Sequence, residues 1–397
     1  MGDQFPQGSS IYIYEDELSF IEKLLEVKSI KKECLDKQQN ILNLNNHYVG
    51  YIKTNRRLIE IVPKNNEIHL NHILRIYFFV HGDYHNLNDE IFSLTNDIFN
   101  SSLINLFLNE LEKVIYKGLP TEYVSFSQNQ KFIHGKVNYT QSYKNILLYN
   151  KEPFYTEVDQ LSLDTSLNRV LKAAFNKVKN IAENKEGLSK INKYLYNIPN
   201  NYNKRDLTDV IINTKNYYCK NAFLYAKLIL EESYYDSIGN FSGESLLINS
   251  DLLFELFIKK ILFNLSIDQH FQEWKNTQPY GEYKNISKEY KPDILYNYSR
   301  SKNNAIAVID VKNKFNTIFK NADVYQMVFY STMLHSKKSI LCYPSTFYKS
   351  PETLEIYSKD LSSNKIYAVF INICESSRTS FSESIDKFIR DLYLTID

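Results

Sequence analysis

The sequence predicts an α+β chain whose last third closes into an α/β core. Residues 246–343 carry helix and strand periods in the order α-β-β-α-β, with two strands that are apolar throughout. Residues 48–62 read as a short hairpin among amphipathic helices, which sets a mixed α+β segment at the N-terminal end. Glycine is scarce, 10 in 397 residues, and neither G-x-x-x-x-G-K-[ST] nor G-x-G-x-x-G occurs, so no phosphate-loop fold and no bound nucleotide are expected. At about 100–200 residues per domain the length suits two or three. Three segments are expected: 1–160, mixed α+β; 161–240, a helical connection; and 241–397, the α/β core.

The elements follow in order. Residues 15–37 place Leu18, Ile21, Leu24, Leu25 and Ile30 near helical spacing, with acids first and lysines last, as a helix dipole favours. Two strands, 48–54 and 58–62, flank Asn55-Arg56-Arg57 and stop at Pro63. Two arginines at a narrow tip suit acids or phosphates on another chain, and a solvated tip is the plainer reading. Residues 69–80 predict a buried helix and 89–117 a longer one that stops at Gly118 and Pro120. Residues 121–160 read as aromatic strands, and 164–184 as a helix capped by Asp164 or Thr165. Another helix spans 219–233, and 233–245, with Gly239 and Gly243, reads as a linker or hinge. Then come a helix at 246–264, a strand at 291–296, a polar turn, a strand at 305–311, a helix at 323–334 and a strand at 339–343.

Composition narrows the function classes. The formal net charge is +1, so nucleic-acid binding would need a local patch. Residues 281–320 supply one: eight Lys or Arg against four acids. A solvated charged face reads equally well there. The four cysteines are dispersed and form no C-x-x-C, which argues against zinc and redox pairs. The first residues lack the basic and apolar regions of a signal peptide, and no uncharged apolar run reaches about 18 residues. A cytoplasmic protein without a membrane span is expected. The 32 Tyr and 24 Phe carry little functional weight, since Asn, Lys and Ile are abundant too.

The chemistry concentrates in the α/β core. Pro292-Asp293 is followed, seventeen residues after the aspartate, by Asp310-Val311-Lys312. Strand periodicity puts Asp310 and Lys312 on one face. If Asp293 lies on a neighbouring strand, two carboxylates converge as a hard cation such as Mg²⁺ requires. Most D-x-K triplets are solvated surface pairs, but this one ends the apolar run AIAVI, where an idle charge would be costly. Glu255 sits inside an apolar helix as an auxiliary acid and metal ligand, or else on that helix's exposed stripe. Gln326 and Tyr330, at i and i+4, share a helix face that follows the D-x-K strand.

This order, P-D…D-x-K with a downstream Q-x-x-x-Y, resembles the PD-(D/E)xK nucleases, the RecB-like branch in particular. The likeness extends to the McrC family, the nuclease subunits of McrBC restriction systems. Val49-Gly50-Tyr51-Ile52 with Leu58–Lys64 resembles the family's G-x-I…I-x-I-x-P-K. Gly118 with Glu122-Tyr123, Gly135-Lys136 after His134, and Asp164…Asn168-Arg169-Val170-Leu171-Lys172-Ala173-Ala174 are similar to its later motifs. Phe254-Glu255, Asp323–Met327 and Tyr343-Pro344 complete an ordered set over about 48–345. His134 stands where Arg is usual, Val311 where a small residue is, and Asn313 where an aromatic is. The resemblance implies a PD-(D/E)xK restriction-endonuclease-like core at 241–397 and a partner-docking domain at 1–160. It implies Mg²⁺-dependent cleavage of double-stranded DNA by Asp293, Asp310 and Lys312 with Glu255 and Gln326, the metal held by Asp293, Asp310 and Glu255. It also implies an McrB-like AAA+ hexamer as the GTP-hydrolysing partner in anti-phage defence. A free-standing nuclease and a catalytically silent adaptor are the alternatives.

Overall fold

The computed structural model describes residues 3–44, 47–81, 102–180, 185–231, 233–238, 241–266, 270–274, 278–283, 286–315, 317–357 and 365–397. The expected long helix begins, among these, at Ser102–Lys117; its earlier part and Gly239 fall outside them. The fold mixes helices with five sheets among the described residues. Two compact units form, residues 1–99 with 236–397, and residues 100–235. This departs from boundaries at 160 and 240. The cause is a long-range pairing: the strand Phe241–Asn249 lies antiparallel to Tyr48–Lys53, with Leu246 opposite Tyr51. The expected linker is therefore largely sheet, and the first residues of the expected 246–264 helix end that strand, the helix starting at Ser250–Asn264 under an Asn249 cap.

In the first unit the hairpin forms as expected, Tyr48–Lys53 against Leu58–Val62, with Asp3–Pro6 parallel on its far edge. The first helix runs only Glu15–Val27. It ends where Ser29 takes φ 53°, and a short 3₁₀ turn, Lys32–Cys34, follows. The arginine tip is paired within the chain: Arg57 is largely covered, while Arg56 stays half exposed, as the solvated reading has it. Arg57 donates to Glu17 Oε2 at 2.9 Å and to the Tyr12 carbonyl, and Glu17 is fully buried. Arg56 stacks 3.6 Å above the Tyr14 ring. Buried acid explains buried base: unpaired, the Glu17 carboxylate would pay a heavy desolvation cost.

The second sheet of this unit has the order Phe271–Glu273, Ile294–Tyr296, Ala307–Val311, Lys338–Ser345, Lys365–Asn372, Glu352–Glu355. Its middle strands are parallel and buried on both faces, which is why they read as unbroken apolar runs. The helix Asn321–Met333 packs on Ala307–Val311 and Lys338–Ser345, where Val308, Leu341, Met327 and Tyr343 share a core. Ser250–Asn264 and Arg378–Ile396 also pack on the sheet and meet through Phe257 and Phe381, stacked at 5.9 Å. The last two strands and the final helix had no counterpart in the sequence reading.

The second unit is mostly helical. Helices Ser102–Lys117, Ser166–Val178 and Lys220–Glu231 pack together, and Glu122–Gln130, Phe154–Ser162 and Lys136–Val137 form an antiparallel sheet. Thr165 caps Ser166–Val178 by accepting from Asn168 N–H at 3.1 Å. Asn168 donates to the Pro120 and Leu163 carbonyls, and Arg169 clamps Asp164 and Asp206. The D-T-x-x-N-R motif is thus a structural staple. The strand reading of 121–160 missed the helix Tyr139–Leu147, which Asn138 caps at Gln141 N–H.

Gly50 has φ 141°, and a Cβ there would sit 1.9 Å from the Leu246 carbonyl oxygen. Gly118 has φ 98° but open space around it. Gly50→Ala should cost about 3 kcal/mol or more, by steric conflict with the sheet, whereas Gly118→Ala should cost about 1 kcal/mol of backbone strain. Chemical denaturation of the two variants beside the wild type measures the difference.

Candidate active site

The site is built by strand register. Ile294 pairs antiparallel with Ile309, so the preceding residue, Asp293, falls opposite Asp310 at the end of Ala307–Val311. Ala307, Val308 and Ile309 of that strand are fully buried and carry Asp310, 2% exposed, into the interior with them. Asp293 Oδ2 accepts from Val311 N–H at 2.8 Å, which fastens the Pro292-Asp293 turn to the strand. Lys312 lies on the face of Asp310, its Nζ 2.5 Å from Asp310 Oδ2.

A hydrogen-bonded brace holds the lysine. Lys312 Nζ donates to Gln326 Oε1 at 2.9 Å, and Gln326 Nε2 donates to the Tyr330 hydroxyl at 2.7 Å. The hydroxyl in turn donates to the Lys291 carbonyl at 3.1 Å. The Q-x-x-x-Y pair therefore links Lys312 to the Lys291 carbonyl, two residues before Asp293. Beside it, Lys314 donates to both oxygens of Asp323 at 2.7 Å. Asn313 bonds Asp251 Oδ1 at 2.9 Å, and Asp251 Oδ2 lies 2.5 Å from His47 Nδ1. This contact ties the strand end to the start of the Ser250–Asn264 helix.

Glu255 stands apart from the pair. Its Oε1 lies 2.7 Å from Lys259 Nζ, and the same ammonium reaches Glu273 at 2.8 Å. The Glu255 charge is still felt at Asp293. Sequence reading missed Lys259, although its i+4 position after Glu255 was the available signal. It also missed Asp323 as the partner of Lys314.

Electrostatics mark the pair as strained. Burial, followed by the Asp310 charge, pushes the Asp293 carboxyl up to about 7, with Glu255 adding to it. Burial also raises Asp310, against the opposing pull of Lys312. Burial lowers the Lys312 ammonium, but Asp310 more than offsets this and the net shift is upward. Asp310 Oδ2 is ion-paired with Lys312, yet it is buried without a hydrogen bond of good geometry among the described residues. Two hard oxygen donors under repulsion, one of them unsatisfied, fit a divalent cation such as Mg²⁺. Among the described residues no three His, Cys, Asp or Glu converge into a preformed cage, so Glu255 is not gathered with the two aspartates as a ligand set.

A family model described as "McrBC 5-methylcytosine restriction system component" matches residues 44–344. The chain belongs to the McrBC family. Glu255, Asp293, Asp310, Lys312 and Gln326 all lie inside the matched span. Two solved structures of Thermococcus gammatolerans resemble this McrBC-family chain. One is a "Refined half-complex from tetradecameric assembly of Thermococcus gammatolerans McrB AAA+ hexamers with bound McrC"; the match has a TM-score of 0.58 at 18% identity, over 98% of this chain and 99% of that one. The other is the cryo-EM structure of the McrBC complex, matched at 19% identity and a TM-score of 0.42 over 69% and 90%. At such identity the first likeness speaks for the fold. No curated protein matches the sequence. No described helix is long and apolar enough to cross a membrane.

The raised carboxyls make metal-free stability depend on pH. An exposed aspartate in the unfolded chain titrates near 4. Between about pH 4 and the folded Asp293 value of about 7, the folded chain keeps a proton that the unfolded chain releases, so stability falls as pH rises through that window. Asp293→Asn removes the Asp293 share of this dependence. In chelator, the variant should gain on the wild type by a few kcal/mol, in order of magnitude, between pH 5 and pH 8. Thermal unfolding at both pH values gives the result, and equal differences at the two would contradict it.

Proposed function

We propose that the chain is the Mg²⁺-dependent DNA endonuclease subunit of an McrBC-like restriction system, with a PD-(D/E)xK core. The observation that carries this reading is Asp293 facing Asp310 with Lys312 braced by Gln326. Asp293 and Asp310 are the residues that would hold the metal, with Glu255 as an auxiliary acid nearby. The bound cation supplies positive charge to the scissile phosphate and eases deprotonation of the attacking water. Lys312, its ammonium fixed between Asp310 and Gln326, contacts the phosphate or orients that water. Tyr330 and the Lys291 carbonyl keep Gln326 from swinging away. The polar, half-buried setting suits hydrolysis of a phosphodiester in double-stranded DNA. It does not favour a silent adaptor, for which a buried pair of repelling acids would be a standing cost without a use.

The first structural relative is described with McrB AAA+ hexamers. We extend that to this chain: a GTP-hydrolysing McrB-like hexamer is its partner, stimulated by docking, and both act on DNA in the cytoplasm. The absence of phosphate-loop motifs accords with GTP hydrolysis residing in the partner. Docking by residues 1–160 is recast by the two units. Residues 1–99 share a sheet with Phe241–Asn249, so a 161–397 fragment would leave that strand without its neighbour and could not isolate cutting from docking. Point variants of the whole chain serve instead.

Asp310→Ala in the full chain, mixed with the partner, Mg²⁺ and DNA, should lose cutting by at least about a thousandfold, and Lys312→Ala by about 10²–10⁴-fold. Both should still stimulate GTP turnover as the wild type does. Wild-type cutting rates in Asp310→Ala would rule out the assignment. Gln326→Ala should lower cutting about tenfold, because Lys312 loses one of its two anchors but keeps Asp310. Gel-resolved cleavage and phosphate release report the two activities separately.

A further inference from the structure

A cavity of about 130 Å³ opens beside the catalytic strand, with Phe315, Pro344, Phe347 and Phe370 as apolar walls and Ser345 and Asn65 as polar ones. Drug-sized ligands usually occupy pockets of at least about 300 Å³, so this one takes a single small ring system. Its place follows from register. Asp310 pairs in parallel with Leu341 and Val311 with Cys342. Register partners point to the same side, and sides alternate along each strand. Asp310, Lys312, Tyr343 and Ser345 therefore share one face of the sheet. Continuing the register puts Lys312 level with Tyr343, and Ser345 two residues further, roughly 6–7 Å on. That is one or two nucleotides along a DNA strand, at about 3.4 Å each when stacked.

The chemistry of the cavity favours a neutral planar group over a phosphate. Both rim lysines are already paired, Lys314 with Asp323 at 2.7 Å and Lys349 with Glu352 at 2.6 Å. Lys349 also lies over the Phe370 ring, 4.2 Å from its centroid. At the mouth Phe347 is 65% exposed, a bare aromatic face. Inside, Ser345 is 8% exposed, and its hydroxyl has no hydrogen-bond partner among the described residues. A buried hydroxyl is normally paired with protein, water or ligand, and this one, bonded to no described residue, is open to the polar edge of a ligand. Aromatic walls with one unsatisfied hydroxyl match a nucleobase, which stacks on its face and hydrogen-bonds at its edge.

We propose that this cavity takes one nucleobase of the DNA strand being cut, unstacked one or two nucleotides from the scissile phosphate. The proposal rests on the nuclease reading above and adds a positioning subsite to it: base capture fixes the strand so that its phosphate lies before Lys312.

The test uses the full chain with its AAA+ partner, Mg²⁺ and duplexes carrying an abasic residue at each position around the mapped cut. Wild type should cut about tenfold more slowly when the abasic residue falls at one particular position, one or two nucleotides from the cut. Phe347→Ala should cut normal DNA about tenfold more slowly and lose the extra penalty there. A second arm places 5-iodouracil at that position and irradiates it with full-length Asp310→Ala. Crosslinks on Phe347 or Phe315 support the proposal; crosslinks elsewhere overturn it. A penalty unchanged in Phe347→Ala, or no sensitive position at all, also overturns it. If wild type shows no Mg²⁺-dependent cutting, the nuclease reading fails, and 5-iodouracil placed in turn at each position of the bound duplex decides whether the cavity holds a base: crosslinks on Phe347 or Phe315 support it, and their absence at every position overturns it.

Discussion

Everything at the candidate site depends on one pairing, Ile294 against Ile309. It forces Asp293, half-buried, and Asp310, buried, to face each other, so each carboxylate raises the energy of the other. A protein can hold such a pair only if the surrounding structure over-determines it. Here the apolar strand Ala307–Val311 fixes one acid, and the Val311 amide fixes the other. Lys312 provides one positive charge for two acids, and the lysine is itself held by a side-chain relay that returns to Lys291. The imbalance of charge is the observation behind the proposed cation.

Much of this was legible in the residues because the constraints are local. An acid at the end of a fully apolar strand stands out, and period two puts the lysine beside it. Gln326 and Tyr330 were legible as a helix face, though not as a relay, since the relay's end is a main-chain carbonyl that no side-chain pattern reveals. What escaped notice was non-local. Residues 233–245 looked like a linker because Gly239, Gly243 and polar residues cluster there, but from Glu244 on the chain pairs with Lys53 and the residues before it. Arg57 looked exposed because hairpin tips usually are, and nothing in the hairpin announces that Glu17 is buried beneath it. The Tyr139–Leu147 helix was hidden by its aromatic residues, which weigh toward strand until the Asn138 cap is counted.

The family-like motifs divide into two kinds of work. Asn168 and Arg169 tie a helix to neighbouring carbonyls and acids, far along the chain from any chemistry. Gly50 exists to let one strand pass close to another. Asp293, Asp310 and Lys312 serve a charge arrangement instead: the two buried acids work against folding, and Lys312 offsets only part of that. The departure at Asn313 also finds a use: in place of an aromatic it supplies an amide to Asp251, which His47 holds from the N-terminal side.

The interruption of the first unit by residues 100–235 has a consequence for biosynthesis. Tyr48–Lys53 leaves the ribosome long before Phe241–Asn249, roughly two hundred residues later. At about 5–20 residues per second the earlier strand waits roughly ten to forty seconds with an unpaired edge. The inserted unit, emerging complete in the meantime, is free to fold first. Closing so long a loop adds only logarithmically to the entropy cost, so the final fold loses little stability by it. The penalty is kinetic: an apolar edge strand stays open to wrong partners during synthesis. Arg56 and Arg57 at the end of that hairpin put charge next to the waiting edge, and their local pairing with Asp16 and Glu17 needs nothing from the distal chain.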